Sequence, residues 1–303
     1  MISSARDLFN RGGASVTRKY DYGAYLFILP LFLVMILFML YPAVTTFYYG
    51  FTDWNGIASP KWTGLHNFQK LFQDSSFHKA ILNSLTLALY VPVWTILPLF
   101  AAALIRRKKP GSSFFRSVVL IPYVISPVIL GVLFNVFLRK YGVINTLLDL
   151  TGLDFLARDW LVEPQLVIHE IAFITIYKFF GFGVIIYVGA MGKISESLYD
   201  SAHIDGAGWF RTLLVVTVPG IRYTIEFFVI LGFITFFARM FPIIYTMTQG
   251  GPGYASFVPE FGIYFEAFEN FRLGYSSTWS IVVYAMTFAI VFVQVTSMKR
   301  REE

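Results

Sequence analysis

Residues 25–47 read YLFILPLFLVMILFMLYPAVTTF, an apolar run without one charged side chain. A helix that crosses a bilayer needs roughly 20 predominantly apolar residues, so this run is long enough. It is too long for the core of a signal peptide, and no small-residue cleavage site follows, so it reads as a retained span. Stretches of the same kind fall at about 80–105, 116–138, 166–189, 219–246 and 276–295. Each is interrupted by Pro, Gly or polar residues, which a bundle tolerates because neighbouring helices can satisfy the freed backbone groups. Composition agrees: 56% of the 303 residues are hydrophobic, 19% are aromatic and only 14% are charged. The expected fold is all-α, a polytopic membrane bundle of about six spans over 25–298, with an arm at 1–24 and a tail at 299–303.

The basic residues give the orientation, because cytoplasmic loops carry the excess of Lys and Arg. With the N-terminus inside, the inner segments hold fifteen of the 24, among them Arg106–Lys109, Arg211, Arg222 and Lys299–Arg301, and the outer loops hold seven. Both termini are therefore expected to be cytoplasmic. The remaining two, Lys178 and Arg239, fall inside spans, where an ionisable group is costly and faces a bundle interior or a cavity. The net charge of +6 is explained by this topology, and no helix or arm gathers it as a nucleic-acid interface. With no cysteine, disulfides, thiolate nucleophiles and cysteine metal sites are excluded. His66, His78, His169 and His203 show no ligand spacing, so neither a metal nor a catalytic residue is expected. Residues 13–19 place Arg18 where a phosphate loop needs its second glycine.

One connection, 191–218, is long and patterned. Ile194, Leu198 and Ala202 recur at i, i+4 and i+8, which predicts a short amphipathic helix with that stripe on one face; Gly206 and Gly208 end it, and the chain turns back to Pro219. Periodicity alone fits a helix lying on lipid headgroups equally well. The residues Asp200-Ser201-Ala202, then Gly206, then Val216, Val218 and Pro219 resemble, with every interval preserved, the E-A-A, G, I-x-L-P pattern of bacterial ABC importer permeases. Further pieces follow in the family's order: Gly64-Leu65-His66-Asn67-Phe68, Phe114-Phe115-Arg116 with Ile121-Pro122, Thr248-Gln249-Gly250-Gly251-Pro252, and Phe268-Glu269-Asn270-Phe271 with Gly274-Tyr275. The chain is accordingly identified as similar to the type I permeases that carry sugars with a solute-binding protein, the maltose permease class.

The resemblance implies a good deal. Asp200, Ser201, Ala202, Asp205 and Gly206 would couple the chain to an ATP-hydrolysing subunit, with Asp200 in place of the usual glutamate and Ser201 in place of an alanine. A substrate pathway would be lined by Thr175, Phe179, Phe182, Gly232, Thr235, Phe236 and Arg239. Lys178, in a segment resembling the family's W-K-x-x-G-F, would bind either a backbone carbonyl, an acid such as Glu170, or the solute; with Arg239 it would favour an anionic sugar. Gly250, Gly251 and Pro252 would form a turn, an outer lip touching the binding protein, or both. The implied partners are a second homologous permease, two ABC ATPase subunits, an extracytoplasmic solute-binding protein, membrane lipid and a carbohydrate, in a bacterial cytoplasmic (inner) membrane. The chain itself would be no enzyme and bind no cofactor, ATP and Mg being used by the partner ATPase. The rival is an ion-coupled secondary transporter, which normally carries inverted repeats and a relay of buried acids; here the spans hold few acids beyond Glu170 and Glu226.

Overall fold

The computed structural model describes residues 22–106 and 111–299. The arm up to residue 21, the basic run Arg107–Lys109 and the tail from Arg300 lie outside the described residues. The chain divides into two compact units, 1–45 and 46–303. In the first, the helix Tyr22–Met35 is followed by a π turn, Ile36–Leu40, and the apolar side chains from Leu26 to Leu40 are exposed. The helix Tyr41–Tyr49 crosses the boundary, and among the described residues the elements of the second unit beyond it are helical but for one two-residue ribbon in which Thr52 pairs with Trp62 and Asp53 with Lys61.

Among the described residues, four helices are long and apolar enough to cross a membrane: Leu26–Tyr49, Ser75–Ile105, Val167–Met191 and Leu273–Met298. Two bent pairs raise the number to six if each is one span, Phe114–Val124 with Pro127–Phe137 at 91° and Trp209–Gly220 with Arg222–Ala238 at 79°. The stretches expected at 116–138 and 219–246 are therefore not single helices. The first breaks at Ile125 and Ser126, both extended, because the residue before a proline is pushed out of the α region while Pro127 itself suits the first turn of the next helix. The second breaks at Ile221 and again at Arg239 (φ −145°, ψ 22°), after which a separate helix, Phe241–Met247, begins.

Each break frees backbone groups that must find partners away from water. At the first, Lys178 from the Val167–Met191 helix donates its ammonium to the carbonyls of Tyr123, at 3.0 Å, and Ile125. A cation is well placed there, since the carbonyl end of a helix carries partial negative charge. At the Arg239 break, the N–H groups of Met240 and Phe241 both donate to the Glu260 carboxylate, at 2.5 and 2.8 Å.

The Val167–Met191 helix is central, with the helices Val91–Ile105 and Ser112–Val124 packed along it. Close approach of backbones drives such packing in lipid, where burial of apolar area gives little. Gly181 permits it here: a β-carbon on it would collide with the Val119 carbonyl oxygen. Trp94, fully buried on the Val91–Ile105 helix, fills the space beside it, its ring 4.7 Å from that of Phe179 and 5.2 Å from that of Phe228.

Candidate functional site

The residues singled out above separate into two groups near the two ends of the Val167–Met191 helix and a third along its length. At 25 residues that helix is about 37 Å long.

Past Met191 the chain forms the helix Glu196–Ile204. Gly206 ends it with φ +72°, the Ala207 N–H donating to the Ala202 carbonyl (2.9 Å) and the Gly206 N–H to that of His203 (3.1 Å). These are the two bonds of a Schellman cap, whose left-handed residue is normally glycine. Nothing lies within 4 Å of a β-carbon placed there; the backbone conformation alone requires glycine.

The stripe is covered only in part: Ile194 and Ala202 are half-buried and Leu198 is not. Leu198 and Ile204 are exposed, at 55% and 86%, and the side chain taken inside is Tyr199. The Asp200, Ser201 and Asp205 side chains are exposed and Ala202 is half-buried. Neither carboxylate, Asp200 nor Asp205, has an ion pair among the described residues, so both are available to a partner. Tyr199 is held from two sides: its hydroxyl shares a 3.2 Å hydrogen bond with Thr217, and the Arg106 guanidinium lies 3.4 Å from its ring centroid.

Along the helix, three of the expected pathway residues, Phe179, Gly232 and Phe236, meet at Trp94. Gly232 lies against its ring, and Phe236 meets it edge-on at 5.6 Å. The Trp94 indole N–H donates to the Phe228 carbonyl at 3.2 Å. Thr175, Thr235, Phe236, Gly232 and Lys178 are buried, Phe179 and Phe182 half-buried, and Arg239 alone of the eight is exposed. Phe182 stacks on Tyr123 at 4.5 Å. Thr175 returns its hydroxyl to the Ile171 carbonyl at 2.7 Å. With Lys178 committed to the carbonyls of the third-span break, the cation open to a solute in this group is Arg239, at the break that Glu260 closes. Burial pushes the Glu260 carboxyl above the usual carboxylate range, against the pull of the Phe241 and Met240 N–H groups and the Arg239 charge.

Toward the other end, Gly250 is buried against Phe257 and Phe261, and Gly251 and Pro252 are half-buried, so the exposed tip of that loop is Gly253–Tyr254. The Gly251–Pro252 peptide is cis. Ser256 donates to the Gly251 carbonyl at 2.6 Å and shares a bond with Thr248 at 2.7 Å, while Asn83 donates to the carbonyls of Tyr254 and Phe257 at 2.9 and 2.8 Å. Gly251 and Pro252 line a cleft of about 680 Å³ with Asn135, Arg139, Asp159 and Thr248.

Trp94, Tyr199, Arg106 and Glu260 escaped the sequence reading. Glu260 alone carried a signal, an acid between Pro259 and Phe261 in an otherwise apolar segment; a tryptophan inside a span and a tyrosine on an exposed helix look like packing.

No family model matches the chain. It is 31% identical, over 88% of its length and 92% of the relative's, to a probable ABC transporter permease protein of Pyrococcus horikoshii. It is 30% identical, over 93% of its length and 86% of the relative's, to the diacetylchitobiose uptake system permease protein of Streptomyces coelicolor. The crystal structure of a bacterial ABC transporter that imports the acidic polysaccharide alginate contains a chain that superimposes with TM-score 0.81 at 26% identity, covering 93% of this chain and 96% of that one. A second structure of a bacterial alginate ABC transporter, in complex with its pentasaccharide-bound periplasmic protein, superimposes with TM-score 0.80 at 25% identity, over 93% of this chain and 95% of that one.

Proposed function

The chain belongs to the permease subunits of ABC transporters, and from that premise we propose that it forms half of the translocation route of a binding-protein-dependent carbohydrate importer. The observation that carries this reading is the Glu196–Ile204 helix, which buries one side chain and, with its cap, turns the carboxylates of Asp200 and Asp205 and two large apolar side chains outward. That mixed surface fits a cleft on a partner protein better than lipid headgroups, which would take an apolar face on one side and a basic one on the other. The partner is an ATP-hydrolysing subunit, present twice, which supplies the ATP and Mg chemistry; this chain is not itself an enzyme and binds no cofactor. A second permease completes the route, and a solute-binding protein delivers the sugar at the opposite end.

Sidedness follows. The Glu196–Ile204 end faces the cytoplasm, the Gly250–Tyr254 end faces outward, and both termini lie on the cytoplasmic side of a bacterial cytoplasmic membrane. Arg239 offers the route one exposed cation, suited to an acidic sugar such as a uronate-containing oligosaccharide, and it sits where the fifth span opens. Glu226, one of the few acids of the spans, is tied to Arg222 at 3.4 Å, which argues against its service in a proton relay.

The test is reconstitution in liposomes with the partner permease, the ATPase subunits and the binding protein. Uptake that requires ATP and the binding protein is the expected result. Uptake by this chain alone, without ATP, would overturn the reading in favour of a secondary transporter.

A further inference from the structure

The Glu196–Ile204 helix is held to its subunit by very little. Tyr199 is its one buried side chain. Beside it lies a cavity of about 270 Å³ lined by Arg106, Tyr199, His203, Trp209, Thr212 and Thr217, so the helix does not rest on a packed surface. Movement imposed on it from outside must leave through its two ends or through Tyr199.

Arg106 meets Tyr199 at that point. It follows the last residue of the Val91–Ile105 helix. Its guanidinium stacks 3.4 Å from the Tyr199 ring centroid and reaches the Glu196 carboxylate at 3.3 Å. Both contacts are on the moving helix, one turn apart, so the planar group is gripped on a face and on an edge. The Arg106 side chain is only 15% exposed while that of Glu196 is 77% exposed. A surface ion pair is weak, so the stack on Tyr199, shielded from water, is the stronger link; a guanidinium over an aromatic face gains most when desolvated.

We propose that Arg106 is a positioning residue that carries movement of the Glu196–Ile204 helix into the Ser75–Ile105 span, and through it to Trp94 among the pathway aromatics. This rests on the reading of that helix as the contact for an ATPase. Arg106 and Trp94 stand on the same helical segment, twelve residues and roughly 18 Å apart along the axis, and Trp94 touches Phe179, Phe228 and Phe236. A continuous helix with one end at the coupling contact and Trp94 in the aromatic cluster carries displacement of the one to the other. The Tyr199 hydroxyl, bonded to Thr217 in the π turn Leu213–Thr217, gives the same movement a second outlet, into the segment that leads to the fifth span.

The experiment uses the complete transporter in proteoliposomes and reads the number of solute molecules taken up per ATP hydrolysed. R106Q and Y199L are each expected to lower that ratio by about tenfold, within the usual range of coupling between sites, with the complex assembled and hydrolysis still running. The double variant should fall no further than either single, because both remove one link. R106K keeps the charge near Glu196 but cannot stack as a plane, and its ratio should fall as well; Y199F keeps the ring and loses only the bond to Thr217, and its ratio should fall well short of the loss in Y199L. Wild-type ratios in R106Q and Y199L overturn the proposal, and so does a wild-type ratio in R106K if R106Q fails to assemble. A wild-type transporter whose uptake ignores ATP would instead overturn the functional reading on which the proposal rests.

Discussion

Residues 192–220 and residues 248–275, two loop regions set toward opposite ends of one long helix, are built on opposite plans. The second is cross-tied. Asn83 and Ser256 satisfy carbonyls within it, Thr248 and Ser256 share a bond, its Glu260 accepts from the N–H groups of Met240 and Phe241, Ser276 donates to the Ile263 carbonyl at 2.7 Å and Tyr275 to Asp74 at 2.7 Å. In the first, the Glu196–Ile204 helix stands on a single buried tyrosine, a cation and a glycine cap. A segment with many buried polar bonds moves only when several break together, whereas one with few opens at little cost. The difference fits a subunit driven at one end: the driven contact is free to be carried, and the far end keeps its shape.

If that contrast is right, a single substitution at the bonded end should cost stability, and one at the free end should cost coupling. The largest expected effect is that of Glu260→Ala, which strands the N–H groups of Met240 and Phe241 in a buried place. At about 1–3 kcal/mol for each unsatisfied group, a loss of roughly 3 kcal/mol should show as a clear drop in the unfolding temperature of the purified complex, with Glu260→Gln losing less because it still accepts. An unchanged transition in the alanine variant would break the contrast.

At the free end, Gly206→Val forces a β-branched residue to φ +72°, at about 1–2 kcal/mol. The loop should distort while the unfolding temperature of the complex stays within a degree or two, and uptake per ATP should fall. Normal coupling in that variant would show that the cap does not set the position of the helix.

The smallest effect is a pH dependence. Burial pushes the Asp74 carboxyl up, but donors from Ser76 and Tyr275 outweigh it and hold it below the usual carboxylate range. A depressed carboxylate contributes stability that is present above its unfolded pKa, near 3.9, and lost as pH falls through its lower folded value. Stability should therefore be indifferent to this group above about pH 4 and decline below it, and Asp74→Asn should shrink that decline. Comparing the acid limbs of the unfolding curves of the two proteins checks it.

Six apolar stretches were legible because a span needs length and hydropathy, and residues 25–47 have both. The 191–218 loop was legible through its glycines and its spacing. The breaks were not, although Pro127 marks one: whether a proline inside an apolar run kinks a helix or ends it depends on who takes the freed carbonyls. Here Lys178 takes them, from a different span, and the sequence left that lysine open among a backbone carbonyl, Glu170 and the solute. Which way the 196–204 helix faces was not legible for a related reason. Periodicity locates an apolar face without saying which body covers it, and Tyr199, half apolar and half polar, could sit on either side. The gathering of Gly232, Phe236 and Phe179 on Trp94 joins residues from three helices, which no spacing along the chain encodes.

The absence of native cysteine opens the most direct test of the central claim, that an ATPase partner seizes the Glu196–Ile204 helix. A single cysteine at Ser201, and in a separate protein at Gly253, would be treated with a short bifunctional cross-linker in the assembled, transporting complex. The account predicts a covalent adduct between Ser201→Cys and the ATPase subunit, and none from Gly253→Cys. An adduct to the ATPase from Gly253→Cys, or none from Ser201→Cys in a complex that still transports, would contradict it.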